Sequence, residues 1–219
     1  MGIILPIILL ISSYLLGSIP WALIMSKLVK GIDIREHGSK NMGATNTVRV
    51  LGTKYGIIVF ILDALKAGFV ISLFTLGLLD HNVDWMVLKI HPLIYGFVAL
   101  LGHIFPVFAK FKGGKGVACC AGILLAYKPL IFIFTMTVFT LVFIWKKYIS
   151  LASILAAIAT LIISFIPFGG EMDWFFTIIV VCAVTFLIIR HIPNIKRLIN
   201  HTENKTKLSF KDDKNKMIF

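Results

Sequence analysis

Residues 2–26 contain no charged side chain. A helix needs about 20 predominantly apolar residues to cross a bilayer, so this run is long enough to do so. Six further apolar runs follow, at residues 55–79, 90–109, 117–127, 130–145, 149–168 and 174–189. In hydrocarbon every backbone polar group must be satisfied within the protein, which leaves helices as the economical answer for runs of this kind. The chain is 58% hydrophobic and 15% charged, with mean hydropathy +0.95, whereas a soluble domain is roughly half apolar and a quarter charged. The expectation is an all-α membrane protein of about seven transmembrane helices. The 117–127 span is short, because Lys128 and Pro129 break it.

The placement of positive charge orients these spans. The net charge is +12, a value that in a soluble protein suggests nucleic acid. Here nearly all of the 22 Lys and Arg sit instead in short segments between apolar runs or at the C-terminal end. Six fall in residues 27–54, three in 110–116, two at Lys146 and Lys147, and eight from Arg190 onward. Lys89 and Lys128 fall on the opposite side, and Lys66 lies inside a span. Cytoplasmic loops carry the excess of Lys and Arg, so the expectation is an N-terminus outside, a cytoplasmic C-terminus and no nucleic-acid partner. No basic residue precedes the first run, so it lacks the n-region of a cleaved signal peptide. Gly17, Ser18 and Pro20 bring small residues and a kink to it. Residues 1–200 are expected to form one transmembrane domain and 201–219 a loosely ordered polar cytoplasmic tail. Cys119, Cys120 and Cys182 all lie in apolar runs, with no metal or disulfide spacing.

Asp63 and Lys66 interrupt the 55–79 span at a spacing of three, which puts them on one helical face, close enough to pair. An ionisable group inside a span is a functional-site hypothesis by default, but a pair that neutralises itself is expected here to be structural. His103, flanked by apolar residues, is expected to be a satisfied structural histidine.

The polar chemistry is concentrated on one side. Residues 33–49 are polar and glycine-punctuated, with Gly38 and Gly43 among Arg35, Ser39, Asn41, Thr45, Asn46 and Arg49. Glycines allow close backbone approach, while hydroxyls, amides and guanidinium forks supply donors to an anion. An ordinary solvated loop has a similar composition. Residues 110–116 contain Gly113, Gly114, Lys115 and Gly116, a pattern that can wrap a phosphate with backbone N–H groups while the ammonium neutralises its charge. It is not a nucleotide P-loop: Ala109 stands where the first glycine is required, and Gly116 where Ser or Thr is. A basic turn reaching for lipid headgroups would read the same. With His191 and Asn194 at the entrance to the basic end, these segments describe a cationic pocket at a membrane surface, suited to joining a soluble phosphate to a fatty chain.

Five stretches, in order along nearly the whole chain, carry a family resemblance: Gly17-Ser-Ile-Pro20, residues 33–49, residues 102–118, residues 146–153 and residues 190–198. Together they resemble the bacterial acyl-phosphate:glycerol-3-phosphate acyltransferases. The resemblance implies a multi-pass enzyme of the bacterial cell membrane with its active site facing the cytoplasm. It implies transfer of a fatty acyl group from acyl phosphate to the 1-hydroxyl of glycerol-3-phosphate, giving lysophosphatidic acid. No cofactor, metal or acyl-CoA is implied, and the oligomeric state is left open, with a monomer the simplest expectation. Carried over by residue, it implies catalytic roles for Ser39, Arg49, Lys115, His191 and Asn194. It implies substrate-binding roles for Gly38, Asn41, Thr45, Asn46, Gly113, Gly114, Gly116, Ser150 and Ser153. Three positions depart from the family pattern: Lys40 replaces a usual Gly, Cys119 a usual Thr and Ile192 a usual Arg.

Other classes fit less well. An acyl-CoA-dependent acyltransferase would show His-x₄-Asp, and no histidine here has Asp five residues on. A phosphatidyltransferase using a CDP-linked substrate would need an aspartate cluster for metal, which the inner loops lack. An organic-phosphate transporter would explain a cationic pocket, but would carry charges deep in several spans.

Overall fold

The structure is a computed structural model that describes residues 4–79, 90–167 and 170–206. The described residues are helical, without a strand. The helices are α1 (Ile4–Ser18), α2 (Trp21–Lys30), α3 (Ala44–Leu51), α4 (Thr53–Thr75), α5 (Pro92–Ile104), α6 (Val117–Tyr127), α7 (Pro129–Lys146), α8 (Ile149–Ser164) and α9 (Trp174–Ile199). Five helical stretches are long and apolar enough to cross a membrane: Ile4–Lys30, Thr53–Thr75, Pro92–Ala109, Pro129–Lys146 and Trp174–Ile199. The other two expected crossings fall on the shorter α6 and α8. The acidic turn at Asp80 and Asp84, with Lys89, lies outside the described residues.

Small residues bring the helices together. Gly17 of α1 lies on the Ala99 backbone of α5, and Gly102 of α5 on the backbone at Tyr14. Gly68 of α4 lies on the Gly122 backbone of α6, and Gly122 on the Ala64 backbone of α4, so that a Cβ at any of the four would overlap main-chain atoms. Close backbone approach at small residues is the usual means of helix association where lipid removes the hydrophobic drive. Ile57, Ile61, Leu65 and Phe69 of α4, spaced by four, and most of α7 present large apolar side chains outward, as a lipid-facing surface requires.

The polar side departs from expectation in three ways. The first run is broken at Ile19–Pro20, where proline removes a helical donor, and resumes as α2. Residues 44–51, read as loop, form α3, whose apolar positions Val48 and Leu51 pack toward α4. The segment beginning at Arg190, beyond the last apolar run, is the last part of α9, which runs through Pro193 to Ile199. Beyond α9 the described residues are packed rather than loose. Thr202 N and Glu203 N both donate to the Arg197 carbonyl, and Thr206 N donates to the Lys147 carbonyl at 2.9 Å.

Candidate active site

The first polar segment is folded around Asn46. Its Nδ2 donates to the Ile34 carbonyl at 3.2 Å and the His37 carbonyl at 3.0 Å, and its Oδ1 accepts from Ser39 N at 2.8 Å. Gly38, at φ +60°, presses on the same amide, so a Cβ there would land on Asn46 Oδ1. One buried side chain thereby holds Ser39 at the surface. Asp33 caps the turn before it. Arg35 donates to both Asp33 oxygens and, with the backbone N–H of Arg35, holds that carboxyl at about 2 against desolvation. Lys40 takes a left-handed φ of 59°, which glycine adopts at no steric cost.

The glycine loop is held from the other side by Arg190 of α9. Its guanidinium donates to the Gly113 carbonyl at 2.9 Å and the Gly114 carbonyl at 3.2 Å. One turn further, Lys115 Nζ donates to Asn194 Oδ1. Burial pushes the Lys115 ammonium down to about 8; Glu203 opposes this, while Arg197, Arg49 and Arg190 reinforce it. Pro193 has no N–H to offer the Ile189 carbonyl one turn back, and both residues border the site.

Between the two loops and α9 lies a cleft of about 780 Å³. Its lining includes Ser39, Lys40, Asn41, Gly113, Lys115, Arg190 and Asn194. Seven of its side chains are Lys or Arg, against only Asp33 and Glu36. Such a charge balance favours an anionic ligand; the guanidinium groups of Arg35, Arg190 and Arg197 are engaged by Asp33, the loop carbonyls and Glu203. Among the described residues no group of three His, Cys, Asp or Glu is placed to hold a metal ion.

None of the remaining expected residues lines the cleft. Arg49 is half-buried on α3, near Arg197 and Glu203, and burial lowers its ordinary value. Thr45 is on the first turn of the same helix, half-buried. Gly114 and Gly116 are buried on the far side of the loop. His191 is buried, with Nδ1 donating to the Leu187 carbonyl of its own helix at 2.8 Å. Ser150 and Ser153 separate. Ser153 lines an apolar crevice that extends from Val117 and Leu187, beside the loop, to Leu93, Thr160 and Phe176. Ser150 Oγ donates to Glu203 Oε1 at 2.9 Å. Ile192, in place of arginine, is 45% exposed and borders neither space.

Glu203 and Arg190 are not among the site residues expected from the sequence. Glu203 accepts from Asn194 Nδ2 at 2.7 Å and Arg197 Nε at 2.6 Å in addition to Ser150. These donors hold its carboxyl below the usual range despite burial. Its position as the one acid between Asp173 and Asp212 was the available signal.

A family model described as glycerol-3-phosphate acyltransferase matches residues 7–201. A glycerol-3-phosphate acyltransferase of Bacillus subtilis (strain 168) is 50% identical over 200 residues, covering 91% of this chain and 97% of that protein. One from Bacillus velezensis is 45% identical over 201 residues, with the same shares. The crystal structure of PlsY (YgiH), an integral membrane glycerol 3-phosphate acyltransferase, in its glycerol 3-phosphate form, superposes with TM-score 0.80 at 38% identity. It covers 92% of this chain and 95% of that one. The lysophosphatidic acid form gives TM-score 0.77 at 37% identity, with the same coverage. On the family match, the extent of these identities and the shared fold, the chain belongs to the glycerol-3-phosphate acyltransferase family.

Proposed function

We propose that the protein transfers a fatty acyl group from acyl phosphate to the 1-hydroxyl of sn-glycerol 3-phosphate, giving lysophosphatidic acid and inorganic phosphate. The family makes it a glycerol-3-phosphate acyltransferase of phospholipid biosynthesis; donor and product are the finer reading. The observation that carries it is the single cationic cleft lined by Ser39 and Asn41 of the first polar segment, Lys115 of the glycine loop and Asn194 of α9, with an apolar crevice beside it. The PlsY forms named for glycerol 3-phosphate and lysophosphatidic acid support the acceptor and the product.

In this reading the hydroxyl oxygen attacks the acyl carbonyl carbon, and the bond from that carbon to the phosphate oxygen breaks. Phosphate is a good leaving group, so no covalent enzyme intermediate is needed. Lys115, beside Gly113 at the cleft, stabilises charge as it moves onto the departing phosphate, while the Gly114 N–H is held by the His103 carbonyl. Ser39 and Asn194 orient the acceptor, and Arg49 adds positive charge for its phosphate. In this reading the departing phosphate takes the hydroxyl proton; no histidine lines the cleft, and Asp33 is engaged by Arg35. His191, one turn before Asn194 and turned inward, supports that face of α9. Gly38, Asn41, Thr45, Asn46, Gly113, Gly114 and Gly116 shape the two loops. The acyl chain enters the crevice past Ser153, while Ser150 works through Glu203.

The chain crosses the bacterial cell membrane seven times in this reading, counting α6 and α8. The N-terminus is outside, and the cleft and C-terminus are cytoplasmic. Residues 1–200 act as one domain, as a monomer. Purified protein supplied with radiolabelled glycerol-3-phosphate and either palmitoyl phosphate or palmitoyl-CoA tests the donor. Lysophosphatidic acid is expected from the phosphate alone; equal or greater product from the thioester would overturn the reading.

A further inference from the structure

The glycine loop has a second face. Gly114 does not border the cleft; it borders a separate cavity of about 10 Å³ shared with Asp63, Lys66 and His103. The loop is thus a partition between the substrate cleft and a buried ionic cluster.

Asp63 and Lys66 pair as their spacing suggested, at 2.7 Å, with side chains only 3% and 4% exposed. His103 of α5 joins them, its Nδ1 3.5 Å from the same Asp63 oxygen. The cluster then reaches three other segments. Lys66 Nζ donates to the Ile19 carbonyl at 2.7 Å, in the break between α1 and α2. Cys119, on the first turn of α6 and four residues after Lys115, donates to the Asp63 carbonyl at 3.3 Å. His103 meets the loop twice: its carbonyl accepts from Gly114 N at 3.1 Å, and its ring lies so close that a Cβ on Gly114 would fall on Nε2.

Burying an ammonium and a carboxylate carries a desolvation cost of several kcal/mol per ion, and an apolar pair would pack these helices without it. What the ionic group adds is direction. Asp63 faces the imidazole, the imidazole edge lies against Gly114 while the His103 carbonyl accepts from Gly114 N, and Arg190 holds the Gly113 and Gly114 carbonyls.

We propose that Asp63, Lys66 and His103 are a positioning cluster for acyl transfer, with His103 seating the Gly113–Lys115 loop in its phosphate-binding shape. None of the three touches substrate. The proposal rests on reading that loop as the cradle of the donor phosphate. Preorganised donors lose effect when displaced by about an ångström, at a cost of about a hundredfold.

The test uses purified, detergent-solubilised wild type, His103→Phe, His103→Asn and the neutral double variant Asp63→Asn/Lys66→Gln. Initial rates are taken with acyl phosphate and glycerol-3-phosphate, normalised to folded protein by size exclusion and thermal unfolding. His103→Phe is expected to lose about tenfold or more in kcat/KM for acyl phosphate, with KM for glycerol-3-phosphate unchanged. His103→Asn, which keeps a polar edge, is expected to recover most of that loss. The double variant, which releases the imidazole, is expected to show the same selective loss as His103→Phe. A merely structural role would lower the folded fraction and leave both KM values of the remaining protein alone. Wild-type constants per folded molecule in His103→Phe would overturn the proposal. If that variant does not fold, wild-type constants in the double variant would do so. Absence of turnover by the wild type with acyl phosphate would instead sink the donor reading.

Discussion

Lys115 and Asn194 lie 79 residues apart in sequence and are joined by a hydrogen bond from Nζ to Oδ1. The amide therefore fixes the direction of the one lysine embedded among the loop glycines. It is itself fixed by Glu203, which accepts from its Nδ2. Lys115→Ala is expected to lower kcat by about two orders of magnitude or more, as loss of an oxyanion donor does. Steady-state rates with acyl phosphate check this, and near-wild-type turnover would remove Lys115 from the reaction.

The pH dependence follows from the same residue. Burial lowers the Lys115 ammonium from 10.5 to about 8. The protonated form is the one that stabilises the departing phosphate. Activity carried by Lys115 is therefore present below about 8 and declines as pH rises through that value. Because kcat/KM reports the free enzyme, its alkaline limb is expected near pH 8. Lys115→Arg, whose guanidinium stays charged, should move that limb upward whatever its absolute rate. A limb that stays in place in the arginine variant would assign it to another group.

Glu203 ties the end of the described chain to the site. It is 7% exposed and accepts from Ser150, Asn194 and Arg197. Alanine there leaves the buried Ser150 and Asn194 donors without an acceptor, each costing about 1–3 kcal/mol, and frees Asn194 to turn. Glu203→Ala is expected to lower both the unfolding midpoint and kcat. Glu203→Gln, which keeps an acceptor, should lose less of each. Equal effects of the two variants would show that charge rather than hydrogen bonding matters.

The apolar skeleton was legible because long uncharged runs have few alternatives: α4, α7 and α8 begin within a few residues of where the runs do. The convergence of the two polar segments with the start of the basic end was legible from charge placement and the family motifs. What the sequence hid was local. The helix over residues 44–51 is short and begins Ala44-Thr45-Asn46-Thr47, a poor helical signal that contact with α4 overrides. The extension of α9 past Arg190 was hidden by Pro193, which ends a helix in most contexts. Asn46 read as a substrate contact because a polar loop does not reveal which of its amides is spent on its own backbone. Lys40 likewise conceals a left-handed φ of 59°, which glycine adopts at no steric cost. Cys119 replaces a usual threonine while its Sγ still donates to the Asp63 carbonyl, as a hydroxyl would.

The crevice makes a prediction about chain length. It is lined by Val117 and Ser153 near the loop and by Thr160 and Phe176 at the far end. There the Thr135 and Thr160 hydroxyls pair at 2.7 Å inside an otherwise apolar wall. Each buried methylene contributes about 0.8 kcal/mol to binding, so blocking the crevice partway should penalise long donors and spare short ones. Ala156, 3% exposed and one turn before Thr160 on α8, is the position to enlarge. Ala156→Phe is expected to lower kcat/KM for palmitoyl phosphate relative to octanoyl phosphate by about tenfold or more, with KM for glycerol-3-phosphate unchanged. The ratio between donors is the measurement, since a general loss of folded protein lowers both rates equally. An unchanged ratio would place the acyl chain outside this crevice.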